Sequence, residues 1–154
     1  VHAQLSRSPT VPSGEAYAVA EARERRGSRI IRPNGPDVWI VLGADAVNRE
    51  VGGRGVLRRQ LERLREVADM SNVRFRVLPF SVGGITALSC PFTLLYIKPA
   101  RTLAYVESLT RAEYVRSTGP YVAAFDFAWQ AAASEPESKA ILDSRIADLS
   151  QEER

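Results

Sequence analysis

Acid–base chemistry is one reaction type for which this chain carries side chains. Among its carboxylates Glu107 is the strongest candidate, because the alternating segment TLAYVESL places it on one strand face with Leu103 and Tyr105. A carboxylate on an apolar sheet face has a perturbed pKa or an arginine partner. Glu107 is therefore the predicted catalytic residue if the protein is an enzyme; the alternative is a strand-end residue that reaches solvent. The other carboxylates considered are Asp45, Glu50, Glu113 and Asp126.

Nucleophilic and metal chemistry have few side chains to draw on. His2 is the only histidine and Cys90 the only cysteine, so neither a Ser-His-Asp nor a Cys-His set is expected. Cys90 precedes Pro91 at a strand start, where a small buried side chain is the simpler interpretation. We expect no zinc site from one cysteine and one peripheral histidine. We expect no cofactor, because VGGRG at 51–55 matches neither G-x-G-x-x-G nor a P-loop.

The segment NVRFRVLPFSVGG at 72–84 places Arg74 and Arg76 on one side of a strand whose other side is apolar. The simpler interpretation is the solvated face of a half-buried strand; the alternative is a pair of ligand contacts. Aromatic side chains on other predicted strands could line the same cavity, and residues 80–90 could cover it. The predicted ligand-binding residues are Trp39, Arg74, Arg76, Tyr96, Tyr105 and Glu107.

The composition is that of an ordinary globular protein. The chain has 154 residues, of which 45% are hydrophobic and 25% charged, and its formal net charge is +3. Glutamates interleave with the arginines of the helix predicted at 54–70, which makes nucleic-acid binding the weakest hypothesis. No apolar run approaches the ~18 residues of a membrane helix, and residues 1–15 lack the apolar stretch of a secretory signal. We therefore expect a cytoplasmic protein without a membrane segment.

Apolar periodicity and turn signals predict a flexible lead-in at 1–12 and one globular domain at 13–154. The fold class that they indicate is α/β or α+β, with a mixed, mainly antiparallel sheet of about 4–5 strands flanked by about four helices. Strands are predicted at 37–43, 72–78, 91–97, 102–109 and 111–115. Helices are predicted at 14–26, 54–70 and 120–133, and from the capping residue Ser134 to about 150.

Local patterns predict how some of these elements pair and pack. The apolar run in DVWIVLG at 37–43 indicates a strand buried on both faces and central in its sheet. The strand–helix–strand unit at 37–78 favours a parallel crossover, and the short KPAR connection favours an antiparallel hairpin. Ser134 and Glu137 have the spacing of a capping box. The predicted core stripe of the second helix is Val56, Leu57, Leu61, Leu64, Val67 and Ala68.

Several longer segments resemble one known family. GRGVLRRQLERLREVADMSNVRFRVLPFSVGG, PFTLLYI and LAYVESLTRAEYV resemble the C-terminal domain of actinobacterial XRE-type helix-turn-helix, antitoxin-like transcriptional regulators. The resemblance covers about residues 15–150, and its most specific parts are VGG before the second helix, QLERL, NVRFRVLPF, PFTLL and YVESLT. The chain departs from the family pattern at Ile85, where relatives often carry a histidine, and at Arg111 and Arg116.

The resemblance implies a non-catalytic domain that senses an effector and mediates dimerisation or protein interaction in a transcriptional regulator. Its partners would be a small-molecule ligand or a small partner protein, with a homodimer as a further expectation. We expect no direct DNA binding, because the sequence lacks a helix-turn-helix. The alternative is a stand-alone relative recruited as a metal-free biosynthetic enzyme. That enzyme would act on a small hydrophobic molecule by acid–base chemistry or by shaping it in a pocket.

Overall fold

The helices and strands follow the predicted order, with one short helix added. The computed structural model describes residues 14, 16–97, 100–108 and 111–151. The helices are α1 (Ala16–Ile30), α2 (Ala44–Asn48), α3 (Arg54–Val67), α4 (Gly119–Ala131) and α5 (Glu135–Gln151). The strands are β1 (Val38–Gly43), β2 (Val73–Leu78), β3 (Phe92–Ile97), β4 (Arg101–Glu107) and β5 (Ala112–Val115). The α+β class is confirmed, and the predicted lead-in at 1–12 lies outside the described residues.

The five strands form two sheets, where the sequence predicts a single one. β1 and β2 pair in parallel, as the crossover prediction requires, while β3, β4 and β5 form a separate antiparallel sheet. In the described part of the chain, the segment between α4 and α5 occupies the outer edge of β2. The Ala133 N–H donates to the Val77 carbonyl over 3.0 Å. The Val77 N–H donates to Ser138 Oγ over 2.8 Å, so the two main-chain groups that Val77 would offer to a third strand are already used.

The antiparallel sheet contains the predicted hairpin. β3 pairs with β4 along its whole length, and β5 pairs with the other side of β4, so the hairpin and the short fifth strand are both confirmed. Residues 98 and 99, in the connection of the hairpin, lie outside the described residues. The ring centroids of Phe92 and Tyr121 lie 5.3 Å apart. Because α4 also contacts β1 and β2, this helix touches both sheets.

The main hydrophobic core lies on one face of the β1–β2 sheet. Val73, Phe75 and Val77 of β2 alternate into it and are each 3% exposed or less. The apolar stripe predicted for α3 packs on them apart from Val56, which is not part of this core, and one side of α5 packs there as well. The buried helix residues of this core include Leu57, Leu61, Val67, Leu142 and Leu149. Burial of these side chains is the main force that fixes β2.

The first strand departs from its prediction. The sequence indicates a central strand buried on both faces, but β1 pairs with β2 alone in the described part of the chain. Val38, Ile40 and Leu42 pack against the core and stay partly exposed, and Trp39 on the other face is 54% exposed. The apolar run therefore belongs to an edge strand. One face of this strand contacts the core, and the other contacts Trp129 of α4.

The helices also differ from prediction: α1, predicted to end at residue 26, continues to Ile30, and one short helix was not predicted. No helix is predicted between β1 and α3, and the structure has the five-residue helix α2 there. Ala44 and Val47, three positions apart, are both buried in the core, which gives this short helix an apolar side. None of the helices in the described ranges combines the length and the apolar character that a bilayer crossing needs.

The last helix begins with the predicted capping box. The Ser134 N–H donates to Glu137 Oε2 over 2.8 Å, and the Glu137 N–H donates to Ser134 Oγ over 3.4 Å. The Ser134 hydroxyl also donates to the same carboxylate over 2.6 Å. Both Ser134 donors favour the charged carboxylate, the hydroxyl most, and so the pKa of Glu137 is lowered. This confirmed cap fixes where α5 starts.

Candidate functional site

The outer face of the β1–β2 sheet brings three of the predicted ligand-binding residues together. In the parallel register Trp39 is the partner of Arg74, and Val41 is the partner of Arg76. Because side chains alternate along a strand, these four residues lie on the face opposite the apolar core. Trp129 of α4 packs against the same face. We call Trp39, Arg74, Arg76 and Trp129 the arginine–tryptophan face.

Trp129 is the aromatic centre of this face. Its ring centroid lies 4.7 Å from that of Trp39, with 41° between the ring planes. Phe125, one helical turn earlier, stacks on Trp129 with centroids 6.1 Å apart. Aromatic pairs of this kind stabilise by about 0.5–1.5 kcal/mol beyond their buried area. Since Trp39 is still 54% exposed, its ring is held on one side and open to solvent elsewhere.

Arg76 is held by the same tryptophan in two ways. Its guanidinium carbon lies 4.4 Å from the centroid of the Trp129 ring, which is a cation–π contact. Its Nη1 donates to the Trp129 main-chain carbonyl over 2.9 Å. The Nε atom is buried and has no hydrogen-bond partner among the described residues. Arg76 is therefore a half-buried cation with a fixed orientation and unused donor capacity.

Arg74 is held more loosely than Arg76. Its side chain is 55% exposed, and its Nη1 lies 3.6 Å from a carboxylate oxygen of Glu135. That distance makes an ion pair but exceeds the length of a direct hydrogen bond between nitrogen and oxygen. An exposed pair of this kind adds little to stability, so Arg74 is free to take a better acceptor.

A solvent-open groove of about 590 Å³ runs beside the two arginines. The residues that line it are Arg74, Arg76, Ser134, Glu135, Pro136 and Lys139. The groove is open to solvent over most of its surface and does not enclose a cavity. One wall is the outer side of β2 and the other is the first turn of α5, so two elements meet at the groove.

The connection between α4 and α5 positions the second wall. Ser138 is 0% exposed, and its hydroxyl accepts the Val77 N–H and reaches the Ala133 carbonyl at 3.3 Å. These bonds attach the start of α5 to the edge of β2. Glu135 and Lys139 are thereby placed beside Arg74 and Arg76.

Lys139 belongs to a network of ion pairs that fixes its ammonium group. Its Nζ donates to Asp69 over 2.7 Å, and Arg65 donates both to Asp69 and, over 3.0 Å, to Asp143. Hydrogen bonds from Lys139 and then from Arg65 stabilise the charged form of Asp69 and lower its pKa. Hydrogen bonds to Asp69 and then to Asp143 raise the pKa of Arg65. The charge of Lys139 is therefore largely compensated on the side away from the groove.

We expect Asp69 to contribute to the loss of stability in acid. Its pKa is lowered in the folded state relative to an ordinary value of about 3.9. Its ion pairs therefore contribute fully above that value, and their contribution is lost as the pH falls through the folded-state pKa. The urea midpoint of unfolding should fall between about pH 7 and about pH 3, and this fall should be smaller for Asp69→Asn than for the wild type. Asp126→Asn, an exposed carboxylate on α4, should keep the wild-type drop, and an equal drop in all three proteins would contradict the prediction.

The other predicted ligand residues lie on the antiparallel sheet. Tyr96 of β3 is 70% exposed, and the ring of Tyr105 lies 5.2 Å from that of its cross-strand neighbour Tyr114. Glu107, at the end of β4, accepts a hydrogen bond from Arg23 of α1 over 3.1 Å. No hydrogen bond, ion pair or ring contact among the described residues joins this group to the arginine–tryptophan face. Glu107 has both features that its sequence suggested, an arginine partner and an exposed strand end, and its acid–base role stays a prediction.

Five residues of the face and the groove were not among the predicted ligand contacts, namely Trp129, Ser134, Glu135, Pro136 and Lys139. The spacing of four between Phe125 and Trp129 is the signal in the sequence for an aromatic stripe along one side of α4. Glu135 and Lys139 reach the groove only because α5 is attached to β2. Within the predicted cover at 80–90, the turn Thr86–Leu88 lies against α4. Phe80 in the same segment is 69% exposed.

The remaining reactive groups are scattered. Cys90 is a free thiol of intermediate exposure. Among the described residues, no three His, Cys, Asp or Glu side chains come together in an arrangement that could hold a metal ion. The groove offers side chains that bind, namely guanidinium groups and an ammonium group, and the exposed indole ring of Trp39 lies beside Arg74 outside the groove lining.

Comparison with known proteins gives one match, which covers nearly the whole chain. Residues 1–144 match the family described as a domain of unknown function, DUF5753. The chain belongs to the DUF5753 family. No curated protein and no solved structure matches it. Every residue of the arginine–tryptophan face and of the groove falls inside the part of this DUF5753 chain that the family covers.

Proposed function

We propose that this DUF5753 chain is a non-catalytic effector-sensing and protein-interaction domain of a transcriptional regulator. The observation that carries the proposal is the arginine–tryptophan face, where a loosely paired Arg74 and a 54% exposed Trp39 lie side by side next to a groove. Exposed aromatic and guanidinium groups on a rigid scaffold are characteristic of binding surfaces. The sequence resemblance to the C-terminal domains of XRE-type regulators supports the same function.

The position of the groove suggests how occupancy is transmitted. A molecule in the groove contacts β2 on one side and the start of α5 on the other. If the distance between these elements differs between two conformations, the molecule favours the one that it fits better. The shift changes the surface that α5 and α4 offer to another domain, a small partner protein or a second copy of the chain. The size of the response is limited by the difference in affinity between the two states.

The test uses the complete gene product that contains this chain and DNA from the region upstream of its gene. In a mobility-shift assay, a small-molecule extract of the host cells should change the fraction of DNA that is bound. For Trp39→Ala, the extract concentration that gives half of this change should rise at least about fivefold, because an exposed aromatic contact is lost. DNA binding without extract should stay at the wild-type level. The active component should be recovered chemically unchanged, as a sensing role requires.

The matched control is Phe127→Ala, an aromatic residue on the same helix as Trp129 that is 59% exposed. This variant should respond to the extract like the wild type. A complete gene product that retains no DNA from the region would contradict the regulator role. Conversion of the active component into another molecule would favour the enzyme alternative instead.

A further inference from the structure

We infer that a small carboxylate attached to a planar ring binds at the arginine–tryptophan face, with its carboxylate on Arg74 at the groove and its ring against Trp39, which lies beside Arg74 outside the groove lining. This inference rests on the proposed function and gives the chemical class of its effector. The residues that contact the ligand belong to the arginine–tryptophan face and to the groove walls. The N–H groups at the start of α5 are not among the contacts, because those of Ser134 and Glu137 are already bonded within the capping box.

The charges around the groove favour an anion. The lining side chains carry three cations, Arg74, Arg76 and Lys139, and one carboxylate, Glu135. Lys139 is compensated by Asp69, 2.7 Å away. Arg76 has no carboxylate within ion-pair distance among the described residues. Its guanidinium instead makes a cation–π contact with the Trp129 ring and a hydrogen bond to the Trp129 carbonyl. The groove therefore retains positive charge that no protein carboxylate fully compensates.

Arg74 is the group best suited to take a carboxylate. Its contact with Glu135 is 3.6 Å long and includes no hydrogen bond, so several of its N–H donors face solvent. A ligand carboxylate can accept two parallel hydrogen bonds from a guanidinium, which is the stronger, bidentate geometry. Binding replaces a loose ion pair with a directional one.

Trp39 gives the preference for a planar ring. The parallel register places it beside Arg74 on one face, and more than half of its surface is open. Rings stack on indole and on guanidinium surfaces, whereas a saturated ring lacks the flat π face that this contact uses. A flat ring with a carboxylate substituent can thus contact Trp39 and Arg74 at once.

Glu135 acts as a competitor inside the site. Its carboxylate is the group that an incoming anion must displace from Arg74 or share it with. A monoanionic carboxylate suffers less repulsion from Glu135 than a phosphate, which carries about −1.5 to −2 charges at neutral pH. The inference therefore predicts opposite effects for two neighbours: removal of Arg74 weakens binding, and neutralisation of Glu135 strengthens it.

The test follows the indole N–H signals of the ¹⁵N-labelled chain by NMR. The chain has two tryptophans, and both belong to the arginine–tryptophan face, so both signals report on the site. Benzoate should shift them with a dissociation constant of about 1–10 mM, which is typical of fragments of its size. Neutral benzamide, non-planar cyclohexanecarboxylate and inorganic phosphate should each bind at least about fivefold more weakly.

Three variants complete the test. Arg74→Ala should weaken benzoate binding at least about fivefold, and Glu135→Gln should strengthen it about twofold or more. Arg63→Ala is the matched control, because Arg63 is an exposed arginine of α3 paired with Glu66 outside the groove. It should bind benzoate like the wild type. Since Arg74 is exposed, its variant should retain the wild-type spectrum away from the face.

Four results would overturn the inference. They are no shift with benzoate, equal shifts with benzamide, equal binding of phosphate or cyclohexanecarboxylate, and equal losses in Arg74→Ala and Arg63→Ala. If benzoate fails while the complete gene product still responds to extract through Trp39, the ligand class is wrong and the proposed function stands. If benzoate binds as expected while the complete gene product retains no DNA, the site is correct and the regulator role fails.

Discussion

Phe75→Ala is expected to lower the free energy of unfolding by about 3–5 kcal/mol. Phe75 is 1% exposed and is the largest of the fully buried side chains. It lies in the middle of β2, in the same core as Leu61 of α3 and Leu142 of α5. Removing its ring loses the transfer free energy of the ring and leaves a cavity between the sheet and two helices that cannot fully collapse.

Urea unfolding followed by circular dichroism measures this loss as a lower midpoint with an unchanged slope. Phe80→Ala is the matched control, because Phe80 is 69% exposed and a surface change of this kind stays within about 0.5 kcal/mol. A loss of less than about 1 kcal/mol for Phe75→Ala would mean that Phe75 is not packed as the structure has it. The same ring supports the site, because Arg74 and Arg76 flank it in sequence and point to the opposite face of the strand.

Local patterns were enough to predict much of the fold. The alternation of NVRFRVL indicates which β2 side chains enter the core, and Val73, Phe75 and Val77 are indeed buried. The capping spacing of Ser134 and Glu137 locates the start of α5. Such patterns succeed because each depends on residues only a few positions apart, whose relative placement a helix or strand determines by itself.

The division of the strands into two sheets could not be predicted in this way. It depends on what occupies the outer edge of β2, and the occupant is a segment about 55–60 residues later in the chain. For the same reason the prediction from sequence that Tyr96, Tyr105 and Glu107 line one cavity with Trp39 could not take account of the two separate sheets. All four lie on strands, but which strands share a sheet is decided by long-range pairing that periodicity does not encode.

The exposure of Trp39 illustrates the same limit. A run of apolar residues in a strand is normally a sign of burial on both faces, and β1 has such a run. Its outer face contacts α4 through Trp129, which covers part of the Trp39 indole ring and leaves the rest open. Whether such a ring is buried in a core or exposed at a binding surface depends on which residue packs against it. Here that residue is Trp129, which is distant in sequence, so the residue pattern of β1 does not identify it.

Ser138→Ala is expected to lower the free energy of unfolding by about 1–3 kcal/mol, although it removes a single oxygen atom. Ser138 and Val77 are each 0% exposed, and the Val77 N–H donates to the Ser138 hydroxyl over 2.8 Å. In the variant that N–H is left buried without an acceptor, and the full cost of its desolvation is no longer compensated. The groove should be affected as well, because this bond attaches the start of α5 to β2.

Ser150→Ala is the matched control on the same helix. The Ser150 hydroxyl also donates a hydrogen bond, to the Ile146 carbonyl over 2.8 Å, but Ser150 is exposed, so water can replace its bond and the stability should change by less than about 0.5 kcal/mol. Hydrogen exchange distinguishes the mechanisms: the Val77 amide should exchange faster in Ser138→Ala by more than the global loss of stability accounts for. Equal losses in the two serine variants, or a Val77 amide that stays protected, would contradict the attachment of α5 to β2 through this bond. Because Glu135 and Lys139 reach the groove only through that attachment, Ser138 also positions the site without touching a ligand.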